Sequence, residues 1–322
     1  MDKYDVVALG ELLIDFTENG ISKQGNPILE ANPGGAPCNV LAMLNRLGKR
    51  TAFIGKVGND AFGKMLAQEV EKSGTDITNL LFDEKVHTTL AFVHTKADGD
   101  RDFSFYRNPG ADMMLTKEEV MEDVIQRGRI FHYGTLSSTH AGVREATRYA
   151  IDLAKQYGLL LSFDPNLREP LWESLEDARR EIEYGLSKCD ILKISDNEVE
   201  FITGTSDYEK GAAILKERFE IPLMFVTLGR EGSRAYYKDI KAEAKPFLQE
   251  GTIETTGAGD TFGGCALNYI LDHGMESLTE NDLKELLTFA NAGASVITTR
   301  RGALRVMPSM EEIEHLMESY KV

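Results

Sequence analysis

Short runs of β-branched and aromatic residues alternate with stretches of helical period through most of the 322 residues, and this alternation restricts the chain to parallel βαβ units. The runs Asp5 to Leu9, Thr51 to Lys56, Ile130 to Tyr133, Leu159 to Phe163, Ile191 to Ile194 and Leu223 to Thr227 are the expected strands. Helices fall between them. In Ala141 to Tyr157, the residues Val143, Ala146, Thr147, Ala150, Ile151 and Ala154 mark one apolar face. No internal repeat, low-complexity tract or linker interrupts the pattern, so one α/β domain over residues 1–322 is expected. Two segments break the alternation. Between Val86 and Arg107 the runs HTTLAFVHT and RDFSFYR flank Ala97-Asp98-Gly99-Asp100, whose Asp-Gly step signals a hairpin. Glu11 to Phe16, with Pro27 to Glu30, forms a second extended excursion ahead of Pro33-Gly34-Gly35. Residues of about 11–33 and 86–110 are together expected to form a small β-sheet lid over the carboxyl ends of the main strands, where α/β domains bind ligands. A surface arm used for oligomerisation is the alternative, and the two roles are compatible.

Charge narrows the partners. The 36 basic against 52 acidic side chains leave a formal charge of −16, which argues against nucleic acid or an anionic membrane surface. A small anion would need a local site of amides and a few Arg or Lys. The start MDKYDVVALGELLIDF lacks a basic region followed by an apolar core, so no signal peptide is expected. No apolar run approaches the roughly 20 residues of a membrane span. Cys38, Cys189 and Cys265 are isolated and odd in number, as buried thiols of a reducing cytoplasm would be. The six histidines show no metal-ligand spacing, so no zinc site is expected.

The run from Thr255 to Phe262, TTGAGDTF, precedes Phe262, Ala266, Leu267, Ile270 and Leu271, whose spacing predicts a helix from about Gly259 to His273 that stops at Gly274. The first amides of that helix lack intrahelical partners. Gly257, Ala258 and Gly259 carry almost no side chain, so an anion can reach those amides at the positive end of the dipole. Asp260 then sits inside an anion site, where a carboxylate suits proton abstraction from a hydroxyl attacking a phosphoryl group. An ordinary helix cap explains the same residue types. Two superficially similar motifs fail on spacing. Gly257-x-Gly259 meets Phe262 where a dinucleotide fingerprint needs glycine, and GNDAFGK from Gly58 is followed by Met65 where a phosphate loop needs Ser or Thr. The latter segment reads as a turn into a helix.

Pro33-Gly34-Gly35-Ala36-Pro37-Cys38-Asn39, followed by a helix ending Arg46-Leu47-Gly48, and Thr255 to Asp260 far downstream resemble the two signatures of the ribokinase-like (PfkB) sugar kinases. The resemblance spans essentially the whole chain. Within that family GELLIDF, GGAPCNV, FYRNPGADMML, FHYGTLS, FDPNLREPLW, SDNEVEFITG and VTLGREGS look like fructokinase segments, in the family's order. The resemblance implies a three-layer α/β/α domain with a central mostly parallel sheet and a small β-sheet lid. It implies in-line transfer of the ATP γ-phosphoryl to a primary sugar hydroxyl, with Mg²⁺ on the phosphates and fructose as the sugar. Kinases for 2-keto-3-deoxygluconate, ribose or an aminoimidazole riboside are the alternatives within the family, and a catalytically silent sugar or nucleotide sensor is the alternative outside it.

Residue by residue, the resemblance places Asp15, Gly34, Gly35 and Asn39 on the sugar, with Gly35 as a lid hinge. A turn-forming Asp and a helix-capping Asn are the alternatives. Phe105 and Arg107, two apart on the hairpin, are expected as lid contacts to sugar and phosphate, and a solubilising edge arginine is the alternative. Arg168 and Asn166, after the strand LLLSF, fall near the transferring phosphate, Arg168 on the substrate side and Asn166 on the nucleotide side. Thr227, Gly229 and Gly232 resemble the nucleotide loop, Asn291 the adenine-side asparagine, and Lys193 and Ser195 are expected to face the nucleotide. Asn197 and Glu200 stand at an N-x-x-E spacing associated with Mg²⁺ and phosphate, though a solvated helix face has the same spacing. Glu254 departs from the family's Asp beside a monovalent cation; with Thr256 it marks the expected K⁺ site. The helix dipole is expected to lower the pKa of Asp260. Open lid edges predict a homodimer.

Overall fold

In a computed structural model, which describes residues 3–95 and 101–320, the chain folds into three layers with one long sheet at the centre. The elements follow in chain order. Strand β1 (Val6–Leu9) leads into β2 (Leu13–Ile21) and β3 (Pro27–Gly34), then helix α1 (Ala36–Arg46), β4 (Thr51–Gly58), α2 (Ala61–Lys72) and β5 (Asp76–Asp83). Next come β6 (Leu90–Thr95), β7 (Arg101–Tyr106), α3 (Glu122–Gln126), β8 (Ile130–Gly134), α4 (Ala141–Gln156), β9 (Leu160–Asp164), α5 (Leu175–Leu186) and β10 (Ile191–Ser195). The last part holds α6 (Asp196–Thr203), α7 (Tyr208–Phe219), β11 (Leu223–Thr227), β12 (Ser233–Tyr237), β13 (Ile240–Ala244), α8 (Ala258–His273), α9 (Glu280–Ile297) and α10 (Met310–Ser319).

The main sheet runs β13-β12-β11-β10-β9-β8-β1-β4-β5, parallel from β11 to β5, with β12 and β13 added antiparallel at one edge. Its central strands are buried on both faces, and two apolar clusters cover them. One joins α1, α2, α8 and α9; the other joins α4, α5, α6 and α7. The strand order reverses at β1, between β8 and β4, and an open α/β sheet has its crevice beyond the carboxyl ends of the strands at such a point. All six expected strands are present. Strands β5, β12 and β13 were not expected, and the Ala97–Asp100 turn falls outside the described residues.

The lid is a separate four-stranded sheet, β3-β2-β6-β7, standing over that crevice. Its stalks are built from buried polar contacts. Glu11, 4% exposed, accepts the Ala36 N–H at 2.8 Å and so ties the entry of β2 to the start of α1. Gly35 holds φ at 129°, and a Cβ there would meet the Glu11 carbonyl oxygen at 2.4 Å, so only glycine fits. The second stalk is held by Arg107. The segment after Gly58 turns at Asp60, which caps α2 through Gly63 N–H, as the failed phosphate-loop spacing implied.

Candidate active site

Two cavities, of about 450 and 420 Å³, lie either side of the α8 N-terminus, and Thr255 and Gly259 line both. Phe247, Leu248, Phe262 and Ala294 give the first an apolar slot suited to a planar base, with Thr227, Gly229 and Gly232 on its wall. Asn291 lines it too, but its amide is engaged: Nδ2 donates to the carbonyls of Ala244 (3.1 Å) and Lys245 (3.0 Å), and Oδ1 accepts from Ser233 (2.8 Å). It fastens the cavity wall.

The second cavity lies beneath the lid and gathers Asp15, Gly35, Asn39, Phe105, Arg168, Glu254, Thr256, Gly257 and Asp260 from distant parts of the chain. Gly34 leaves room for Asp15, whose carboxylate would lie 2.3 Å from a Cβ at that position. Asn166, Lys193 and Ser195, expected on the nucleotide, line this cavity instead of the first. They stand at the ends of β9 and β10, which point at the phosphoryl side of the α8 N-terminus.

Asp260 sits at the floor. Its Oδ2 accepts from Asn39 Nδ2 at 2.7 Å, and Asn39, whose Oδ1 is buried without a hydrogen-bond partner among the described residues, lines the same cavity. Lys193 pairs with Asp164 at 3.0 Å and lies against Gly259, where a Cβ would come within 3.0 Å of its ammonium. Burial pushes the Asp260 carboxyl up to about 6, and Asp164 adds to this, while the Asn39 hydrogen bond, Lys193 and Arg168 oppose it. The expected lowering by the helix dipole is therefore corrected: in a low-dielectric floor crowded with carboxylates, desolvation outweighs the dipole. Asp15 is likewise pushed up to about 7 by burial, against the pull of Arg168 and with further push from Glu254 and Asp260. The Lys193 ammonium loses by burial but gains more from Asp164, Glu198 and Asp260, so its pKa rises and it stays charged.

Three further expectations need correction. Arg107 does not line the cavity; it is buried, its Nε and NH2 forking onto Asp112 at 2.8 and 2.7 Å, with NH1 on Thr139 at 2.8 Å and NH2 also on the Leu136 carbonyl at 2.9 Å. It follows the last residue of β7, where the chain leaves the lid for the main body, so its fork binds stalk to body. Asn197 and Glu200 are exposed on α6 and line neither cavity, whereas Ser195 and Glu198, with the same spacing two residues earlier, line the second. Ser195 caps α6 and Glu198 closes a capping box, which turns that face of the first turn inward. Finally, the Ala258 N–H donates to the Thr255 carbonyl at 3.2 Å, so of the three amides only those of Gly257 and Gly259 are without such a turn bond. Gly257 itself has φ 75°, and a Cβ there would lie 2.7 Å from that of Ala303.

Sequence reasoning passed over Glu11, Asp164, Glu198 and the Gly302–Ala303 step, all of which line this cavity or the small one beneath it. The S-x-x-E capping box was the signal for Glu198. Asp164 stands in FDPNLRE beside residues that were singled out, and burial at the end of β9 pairs it with Lys193. Glu254 accepts the Gly302 N–H at 2.9 Å, a contact 48 residues away that no local pattern announces.

Residues 3–310 match the model of the pfkB family carbohydrate kinases. "Probable fructokinase-2" of Arabidopsis thaliana is 44% identical over 307 residues, covering 94% of this chain and 93% of that protein. The crystal structure of fructokinase with bound ATP from Xylella fastidiosa superposes with a TM-score of 0.90 at 28% identity, covering 99% of this chain and 100% of the other. A double-mutant fructokinase from Vibrio cholerae O395, in a fructose, ADP and potassium ion bound form, gives a TM-score of 0.87 at 29% identity, over 98% and 99% of the two chains.

Proposed function

The chain belongs to the PfkB family of carbohydrate kinases, and on that premise we propose how its residues carry out the ATP-dependent phosphorylation of D-fructose to fructose 6-phosphate. The reaction is that of a fructokinase, EC 2.7.1.4. The observation that carries the mechanism is the Asn39–Asp260 pair in the second cavity, next to Gly259, which lines both cavities. Fructose lies beneath the lid, held by Asp15, with its primary hydroxyl toward Asp260 and the Asn39 side chain that bonds it. ATP lies across Gly259, its base in the slot of Phe247 and Leu248.

Asp260, poised near 6, is ionised at neutral pH yet a stronger base than an exposed aspartate, and it takes the hydroxyl proton as the oxygen attacks the γ-phosphorus. Such a base contributes about 10²- to 10⁴-fold. The amides of Gly257 and Gly259 face the charge that develops on the phosphoryl oxygens, and Lys193 and Arg168 bring fixed cations beside them. Asp164 holds Lys193 in place. The proton moves to Asp260, the γ-phosphoryl to the sugar oxygen, and ADP leaves.

Among the described residues no group of three or more His, Cys, Asp or Glu could cage a metal ion. That fits Mg²⁺ carried by the ATP phosphates, which needs one or two carboxylates and retains its waters. Glu198 is the carboxylate in place: it accepts from Leu167 N–H and from Ser195 N–H and hydroxyl while lining the cavity. Held beside Glu198, Mg²⁺ would supply charge neutralisation to the ATP phosphates. Glu254 and Thr256 are the side chains we assign to a K⁺ site beside the α8 turn. The three cysteines are buried and free, as in a reducing cytoplasm, where we place the enzyme; among the described residues no helix is long and apolar enough to cross a membrane. The lid exposes Ile21 and Tyr106, 68% and 67% accessible, beside its open β3 and β7 edges, and we assign a homodimer to that surface.

The test is ADP release measured across a panel of sugars. Fructose should give the highest kcat/KM. Faster turnover of 2-keto-3-deoxygluconate, ribose or aminoimidazole riboside would reassign the substrate, and turnover of none would make the chain a sensor.

A further inference from the structure

A third cavity, of about 590 Å³, shares one wall with the sugar cavity. The wall is residues 298–307: Gly302 and Ala303 line the sugar side, while Arg300, Leu304, Arg305 and Met307 line the other. The same segment holds the catalytic turn. Thr298 accepts from the Ile253 and Glu254 N–H groups at 2.8 and 3.2 Å, Gly302 donates to Glu254 at 2.9 Å, and Ala303 packs against Gly257.

Four cations converge on this third cavity: Arg46 from the last turn of α1, Lys72 from the last turn of α2, and Arg300 and Arg305 from the wall. A cation in a last turn is ordinary complement to a helix dipole, which accounts for Arg46 and Lys72 but not for the two on the wall. Glu69 and Glu312 line the cavity with them, and Glu311 acts on Arg46 from its rim, on a chain whose formal charge is −16. Glu69 pairs with Lys72 at 2.8 Å and with Arg305 Nε at 2.7 Å; Glu312 pairs with Arg300, whose other arm reaches the Val306 carbonyl at 2.9 Å. The Arg46 guanidinium makes no hydrogen bond and no ion pair within 4 Å among the described residues, although the Glu311 and Glu312 carboxylates act on it from farther off. The cavity thus presents the Arg46 guanidinium, without a hydrogen bond among the described residues, and the terminal nitrogens of Arg305 in a concave surface where four cations meet Glu69, Glu311 and Glu312. Forked donors of this kind match the oxygens of a phosphate dianion.

We propose that this cavity binds a phosphorylated small metabolite and that its occupancy slows phosphoryl transfer. The phosphate draws Arg300 and Arg305 away from Glu312 and Glu69, and the wall that braces Glu254 and Gly257 loosens. The proposal goes beyond the kinase reading, and its binding test stands apart from the identity of the sugar. With the active site filled by fructose and a non-hydrolysable ATP analogue, the enzyme is titrated calorimetrically with fructose 6-phosphate, glucose 6-phosphate and inorganic phosphate at constant ionic strength. At least one should bind saturably to a single site, and Arg46→Glu should weaken that binding by about tenfold, the loss of one charge-assisted contact. Equal affinity for all three means that the site reads phosphate alone; tighter binding of a sugar phosphate means that it also reads the carbohydrate. Either supports the proposal. At saturating fructose and ATP, kcat of the native enzyme should fall with the same ligand, while Arg46→Glu keeps its basal kcat and resists. Lys72→Glu, on a different helix, should behave alike. No binding to the filled enzyme, binding undiminished in both variants, or binding without any fall in kcat would each overturn it.

Discussion

Replacing Arg107 by methionine separates a structural fork from a ligand contact. In the structure its side chain is 1% exposed and so is that of Asp112, with two short contacts between them and two more to Thr139 and Leu136. Methionine keeps much of the volume and removes the charge, so Asp112 is left buried with Thr89 as its remaining side-chain donor among the described residues. Breaking a buried pair by deleting one partner costs about 3–5 kcal/mol, because the other charge is left uncompensated. At about 2.1 cal/mol/K per residue, the 322 residues give an unfolding entropy of about 0.7 kcal/mol/K. The melting temperature should therefore fall by about 4–7 °C. The assay is thermal unfolding by circular dichroism at neutral pH, with fructose KM measured well below the transition. Adding Asp112→Leu should recover part of the loss, since the stranded charge goes with it. If the Arg107→Met enzyme melts as the native one does while its fructose KM rises tenfold or more, Arg107 reads the ligand and the fork is incidental.

Asp15 and Asp260 share a cavity and are pushed up to about 7 and about 6, so kcat/KM should fall as pH drops through that window, with apparent values belonging to the pair. Both lie above the ordinary value of 3.8, so between about 4 and 7 the folded state binds more protons than the unfolded chain, and stability decreases as pH rises there. Asp260→Asn should accordingly melt higher than the native enzyme at pH 8, with the gap closing toward pH 5; a lower melting point at pH 8 would contradict the burial argument. In K⁺ the turnover should exceed that in an equal concentration of a bulky organic cation, and equal rates would remove K⁺ from Glu254 and Thr256. Light scattering at micromolar concentration should give twice the chain mass, and a monomeric mass would leave the lid surface without its partner.

What could be read in the sequence followed the range of the forces involved. Period and strand composition gave the six parallel strands, and α8 begins at Ala258, within a residue of the expected start, because TTGAGDTF and Gly274 punctuate it locally. Strands β12 and β13 escaped because their identity as strands depends on pairing from β11 outward, and the glycines of the nucleotide loop, Gly229 and Gly232, immediately precede β12. At the site, the resemblance brought the right segments together, but the facing residues depended on register. Asn197/Glu200 and Ser195/Glu198 have identical spacing; only the cap that orients the first turn of α6 chooses between them. Arg107 has a charge that either a ligand or Asp112 could satisfy, and the folded chain brings Asp112 to it. For Asp260 the dipole was visible in the sequence, whereas the desolvation that outweighs it arises from the walls of the cavity, contributed by residues as far apart as Glu11 and Ala303.

The central claim is that Asp260 takes the proton from the sugar hydroxyl in the second cavity, one residue past Gly259, which lines both cavities. Its most direct test is a rapid-quench single turnover of Asp260→Asn on bound fructose and ATP, with binding of both ligands measured separately. The account predicts a folded variant that binds fructose and ATP and transfers phosphate at least about a hundredfold more slowly. Transfer at a near-native rate in that folded, ligand-bound variant would contradict it.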